Sequence, residues 1–224
     1  LWMCGWLLEA SVLVCSIYRG AFLRYLALNL YVTASLSAGV ARLYVLTHYG
    51  FRSAQYFYFY YYSDALLTIA LFFALISLYS RVLEELKAER LVRLASILLL
   101  AGTAWFSYAI VQQSADRLMT RFVMELSQNL YFVGLVLTYL LWAAVMKLRE
   151  TRARLVQFVL SLGVYFSGFA ATYALRNLVP RLDTIWGSIP PLLACLLPLA
   201  WAYAFWRLPD TVRLAPARLA AVHR

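Results

Sequence analysis

Seven long apolar runs divide this chain and leave few choices of fold. They are Leu1–Ile17, Tyr25–Thr47, Ala54–Tyr79, Leu94–Gln112, Phe122–Met146, Leu155–Leu175 and Ile185–Trp206. As helices rising about 1.5 Å per residue, they have the length needed to cross a hydrocarbon core of about 30 Å. Lipid offers no water to satisfy backbone groups, so only helices and closed barrels cross it. A barrel would show alternating segments of about ten residues, not continuous runs. Seven spans with brief connections use all 224 residues. The sequence therefore predicts an all-α, polytopic membrane protein: one seven-helix transmembrane bundle over 1–207, followed by a short basic tail, interrupted by proline, over 208–224.

Composition supports this reading. Hydrophobic residues make up 64% of the chain and charged residues 13%, against about a quarter charged in an ordinary soluble domain. A net charge of +10 on a soluble protein would point to nucleic acid. Here the basic residues fall between apolar runs, where they orient helices and meet anionic headgroups. The expected partner is thus the lipid bilayer, with no nucleic acid. Fourteen Lys and Arg lie on the side of Arg19–Arg24, Arg81–Arg93, Lys147–Arg154 and Arg207–Arg224. Six lie on the other: Arg42, Arg52, Arg117, Arg121, Arg176 and Arg181. The richer side is predicted to be cytoplasmic, with the N-terminus outside and the C-terminus inside. Glu9 within the first run, and no small-residue cleavage site after it, argue for a span there and not a signal peptide.

Local features add detail. Tyr56 to Tyr62 is an unbroken aromatic run at the start of the third span, expected to sit as a belt at the outer interface. Trp142, Trp201, Tyr203 and Trp206 mark inner ends. Ala34, Ser35, Ala38 and Gly39, and likewise Ser167 with Ala171 and Gly168 with Thr172, are spaced for close helix approach. Pro190, Pro191 and Pro198 are expected to distort the seventh helix. Asn29, Thr33 and Ser37 form a stripe read as packing. Cys4, Cys15 and Cys195 lie in apolar runs with no paired spacing and no neighbouring His, so they read as small hydrophobes and not as zinc ligands or a disulfide framework.

No cofactor is predicted. The only lysines, Lys87 and Lys147, sit at helix ends, so no retinal Schiff-base lysine is available in the last span. His48 and His223, the only histidines, fall on opposite sides of the membrane and form no bis-His haem pair. Nucleotide, hydrolase and metalloprotease signatures are missing from the sequence. The remaining chemistry-bearing residues are Glu9, Arg42, Asp64, Glu125 and Arg176, ionisable groups within apolar runs. Gln128 and Asn129 follow Glu125 at three and four residues. Either these groups pair to fix helix order, with Arg42 and Arg176 meeting the acids, or they surround an outward-opening polar pocket. No catalytic residue and no metal ligand is expected among them.

The segments YFYFYYYSDALLTIALFFALISLYSRV (Tyr56–Val82), RFVMELSQNLYFVGLVLTYLLW and LVQFVLSLGVYFSGFAATYAL are similar to an acidobacterial-type family of seven-helix integral membrane proteins. That family has no established activity, so the resemblance implies fold and bacterial origin, hence a bacterial cytoplasmic (inner) membrane. The leading expectation for function is a non-enzymatic membrane subunit that packs against other membrane proteins in a larger assembly. The alternative is a receptor-like sensor or small-solute transporter using the polar pocket. A lipid-modifying enzyme resting on Asp64 and Glu125 stands third.

Overall fold

The computed structural model describes residues 2–83, 89–111, 118–147, 152–178 and 183–208. The charged connections at 84–88 and 148–151 and the tail beyond Leu208 lie outside the described residues, as does His223. Seven helices follow one another: α1 (Trp2–Tyr18), α2 (Leu26–Tyr49), α3 (Ala54–Val82), α4 (Glu89–Val111), α5 (Leu118–Lys147), α6 (Ala153–Leu178) and α7 (Asp183–Arg207). All but the 17-residue α1 are long and apolar enough to cross a membrane. The fold is all-helical and of integral membrane type. Helices α4 and α5 begin at Glu89 and Leu118, earlier than the apolar runs at Leu94 and Phe122, because Arg93 and Arg121 end hydrophobicity without ending the helix.

Turn chemistry sets the junctions. Gly20, at φ 62°, closes α1 by donating its N–H to the Ile17 carbonyl (2.9 Å). Gly50, at φ 79°, ends α2 by donating to the Leu46 carbonyl (2.9 Å), and Ser53 caps α3 by accepting from the Tyr56 N–H (3.1 Å). A positive φ suits glycine because no Cβ is present to clash.

Six helices close a ring in the order α1, α2, α3, α5, α6, α7 and back to α1. Helix α4 packs outside it, on α5 and α3, while α3 also touches α6 across the ring. Large apolar side chains such as Leu66, Trp105, Val164 and Leu196 point outward, where a bilayer covers them. Asn129 Nδ2 donates to the fully buried Ser107 Oγ (2.9 Å), tying α5 to α4. Asn29 Nδ2 does the same between α2 and α1, donating to Ser16 Oγ (2.9 Å) and the Phe22 carbonyl (3.0 Å).

The end of the ring that carries the α1–α2 turn and the C-terminus of α7 is solid. Tyr25, Phe158, Phe205 and Trp201 form an aromatic plug, with neighbouring ring centroids 5.0–6.2 Å apart. Trp201 Nε1 donates to Ser161 Oγ (2.9 Å). Arginines then cap helix C-termini, where unsatisfied carbonyls and the macrodipole favour a cation. Buried Arg154 donates to the Leu208 carbonyl through Nε and Nη2 (3.1 and 2.7 Å). Arg19 reaches the Trp206 carbonyl (2.6 Å) and Arg152 the Arg81 carbonyl (2.9 Å).

Candidate functional site

The opposite half of the ring is hollow. A cavity of about 520 Å³ lies among all six ring helices, and no residue of α4 lines it. Its lining follows helical spacing on each wall: Trp6 and Glu9 on α1, Tyr31, Ser35, Gly39 and Arg42 on α2, and Tyr60, Asp64, Thr68 and Leu71 on α3. Helix α5 adds Met124, Ser127, Gln128 and Tyr131, α6 adds Tyr165, Phe169, Thr172 and Tyr173, and α7 adds Pro190, Pro191, Cys195, Pro198 and Trp201. These positions lie toward the N-terminal ends of α1, α3 and α5 and the C-terminal end of α6, and reach past mid-helix on α2 (Tyr31, Ser35) and α7 (Pro198, Trp201), so the cavity leans to one end of the bundle and extends beyond its middle. Trp201, fully buried, belongs to both the lining and the aromatic plug.

Of the polar residues singled out from the sequence, Glu9, Arg42, Asp64 and Gln128 are brought together on this cavity. Glu125 and Asn129 are not. Asn129 faces α4 through its bond to Ser107, and Glu125, one turn before it, is half-buried off the cavity wall. The Arg176 side chain lies outside the described residues.

Pairing of Arg42 with an acid is not what holds this cluster. Among the described residues no carboxylate lies within ion-pair distance of Arg42. Its Nε instead donates to Ser63 Oγ (2.7 Å), its Nη2 to the Tyr60 carbonyl (3.2 Å), and its guanidinium lies over the Tyr60 ring, 4.5 Å from the centroid. Arg42 thus clasps α2 to α3. It still lies near enough to Glu9 and Asp64 to act on both electrostatically. Glu9 accepts a short hydrogen bond from Ser35 Oγ (2.5 Å). Beside Asp64 stands Ser127, 4% exposed, whose hydroxyl meets no partner in hydrogen-bond geometry.

The aromatic run Tyr56–Tyr62 divides by helical phase. Tyr56, Tyr60 and Tyr61 line the cavity, whereas Phe57, Tyr58 and Tyr62 are exposed on the outside. The belt reading covers only the second group. The α6 aromatics form a wall of their own: Phe169 stacks on Tyr131 (4.7 Å, 6° between planes), and Tyr165 and Tyr173 flank it. The sequence reading passed over this wall, although Tyr165, Phe169 and Tyr173 recur every four residues and so share a helix face. Helix α7 stays helical through Pro190, Pro191 and Pro198, all on the cavity. Pro198 carries no N–H, so the Ala194 carbonyl on the cavity wall lacks its usual helical donor. Cys195 lines the cavity, Cys15 is half-buried and Cys4 is exposed.

Comparison with known proteins adds nothing to this geometry. No protein-family model, curated protein or solved structure matches the chain.

Proposed function

We propose that this protein is a seven-span, solute-binding membrane protein that takes a small ligand into the cavity from the non-cytoplasmic side of a bacterial inner membrane. The observation that carries the reading is the cavity itself, whose wall brings Glu9, Asp64 and Arg42 together without an ion pair among them. Ionisable groups inside a membrane domain are costly and are retained where they meet a pathway or a ligand. A volume of about 520 Å³ falls in the range of small-molecule sites, which combine apolar walls with a few convergent polar groups. The charge bias of fourteen to six supports an orientation with the cavity end outside.

The reading as a subunit built to pack against other membrane proteins rested in part on small-residue faces, and two of those faces are occupied within the bundle. Gly39 lies directly beneath Trp6 of α1, and Gly168 beneath Leu193 of α7, each too close to admit a side chain. Transporters place interrupted helices at their binding sites, whereas α7 runs unbroken past the three prolines that stand on the cavity wall, so the reading stops at solute binding. The proposal assigns no catalytic step.

Purification in mild detergent followed by native mass spectrometry tests the reading. The expected result is a chain carrying a small-molecule adduct that disappears when Thr68→Trp fills the cavity. A chain found only in stoichiometric complex with other membrane proteins, without adduct, contradicts it.

A further inference from the structure

We propose that the cavity takes a small organic cation, its ammonium group lying between Asp64 and Glu9 and its apolar part against the aromatic wall of α5 and α6. The inference rests on the cavity being a solute site and deepens that reading by assigning the class of solute.

Three observations converge on a cation. First, two carboxylates face one guanidinium, and that guanidinium is engaged: Ser63 and the Tyr60 carbonyl take its Nε and Nη2, and the Tyr60 ring covers its face. Second, the carboxylates are under-satisfied. Among the described residues the Glu9 carboxylate accepts from Ser35 alone, and the Asp64 carboxylate has beside it only the buried Ser127 hydroxyl, which stands outside hydrogen-bond geometry. Tyr31, Glu9 and Asp64 all line the same cavity. Third, the facing wall is aromatic, with Tyr131, Tyr165, Phe169 and Tyr173 in mutual contact on the lining. Ring faces attract cations within about 6 Å, above all quaternary ammonium groups that cannot hydrogen-bond.

Size and ligand count separate an organic from an inorganic cation. A bare metal ion needs several oxygen, nitrogen or sulfur ligands converging within about 2–2.6 Å, and among the described residues no group of three His, Cys, Asp or Glu could hold one. A cavity of about 520 Å³ instead suits a molecule with an apolar body.

Cys195 supplies a native reporter on the cavity wall. In a Cys4→Ser, Cys15→Ser background it is the single thiol of the chain. The protein, in an uncharged detergent, is treated with two methanethiosulfonates of similar size, one bearing a trimethylammonium and one a sulfonate. Each rate is normalised to the reagent's rate with a small thiol in solution. The expected result is modification by the cationic reagent about tenfold faster or more, with the ratio falling at least about threefold in Asp64→Asn and in Glu9→Gln. The protein's overall charge of +10 favours the anionic reagent, so a cation preference reports the cavity. Phenyltrimethylammonium should protect Cys195 and benzenesulfonate should not, a comparison that needs no substitution of either acid. Equal rates, or a faster anion, overturn the organic-cation assignment and leave the solute site standing. A cation preference that survives both neutralisations overturns the role of these carboxylates. If neither reagent reaches Cys195 until the chain is unfolded, the solute site itself falls.

Discussion

The Asp64 carboxylate stands on the cavity wall with the buried Ser127 hydroxyl beside it but outside hydrogen-bond geometry, and Arg42 is held by Ser63 and the Tyr60 carbonyl. Neutralising Asp64 therefore strands no partner. Asp64→Asn should leave the melting temperature within about 2 °C and weaken ligand binding by about 10- to 100-fold, the range of a lost hydrogen bond to a charged group. Arg42→Gln should do the reverse to stability. It removes the charged donor clasping α2 to α3 and should cost about 1–3 kcal/mol, read as a lower melting temperature in a detergent thermal-shift assay. At this scale the sequence was informative because charge within an apolar run is conspicuous, and Glu9, Arg42, Asp64 and Gln128 all reach the cavity. Glu125 and Asn129 were misplaced for a physical reason. Spacing puts them on one helix face with Gln128, but α4 packs on part of that face and draws Asn129 to Ser107. Where α4 docks is a tertiary fact that helical periodicity does not encode.

Elements were legible as apolar runs, less so their inner and outer faces. The seven helices fall where hydrophobicity predicts, with ends displaced by charged turns that remain helical. The run Tyr56–Tyr62 shows the difficulty: seven consecutive aromatics carry no periodic contrast, so only packing reveals that Tyr56, Tyr60 and Tyr61 reach the cavity. Small residues were more telling, because close helix approach leaves a pattern of its own. At Gly39 the backbone of α2 lies against the Trp6 ring of α1. Gly39→Leu should push Trp6 aside, cost about 1–3 kcal/mol through overpacking, and disturb the α1 wall of the cavity. Reduced stability together with altered Trp6 fluorescence, measured against a Trp6→Phe control, checks it. No change in either would show that α1 does not pack there.

At the scale of the whole molecule, the ring is hollow at one end and solid at the other. The solid end carries the arginine caps and the aromatic plug, and the proposed orientation turns it toward the cytoplasm. Topology is testable on exposed described positions. In a cysteine-free background, Phe51→Cys in the α2–α3 turn should react with an impermeant maleimide on intact cells, and Leu23→Cys in the α1–α2 turn only after permeabilisation. The opposite pattern would invert the orientation. Ring closure was beyond the sequence, and the pocket could be read there only as an alternative to ion pairing, since both depend on which helices become neighbours, and interchangeable apolar surfaces do not specify that. The central claim, a water-filled solute cavity within the bundle, is tested most directly by a cysteine scan along α3 with a water-soluble, membrane-impermeant thiol reagent. Reactivity is predicted at Tyr60, Asp64 and Leu67, which line the cavity and are not fully buried, and silence at the outward-facing Leu66 and Phe73. Reactivity that stops at Tyr62, with Asp64 and Leu67 both silent, would contradict it.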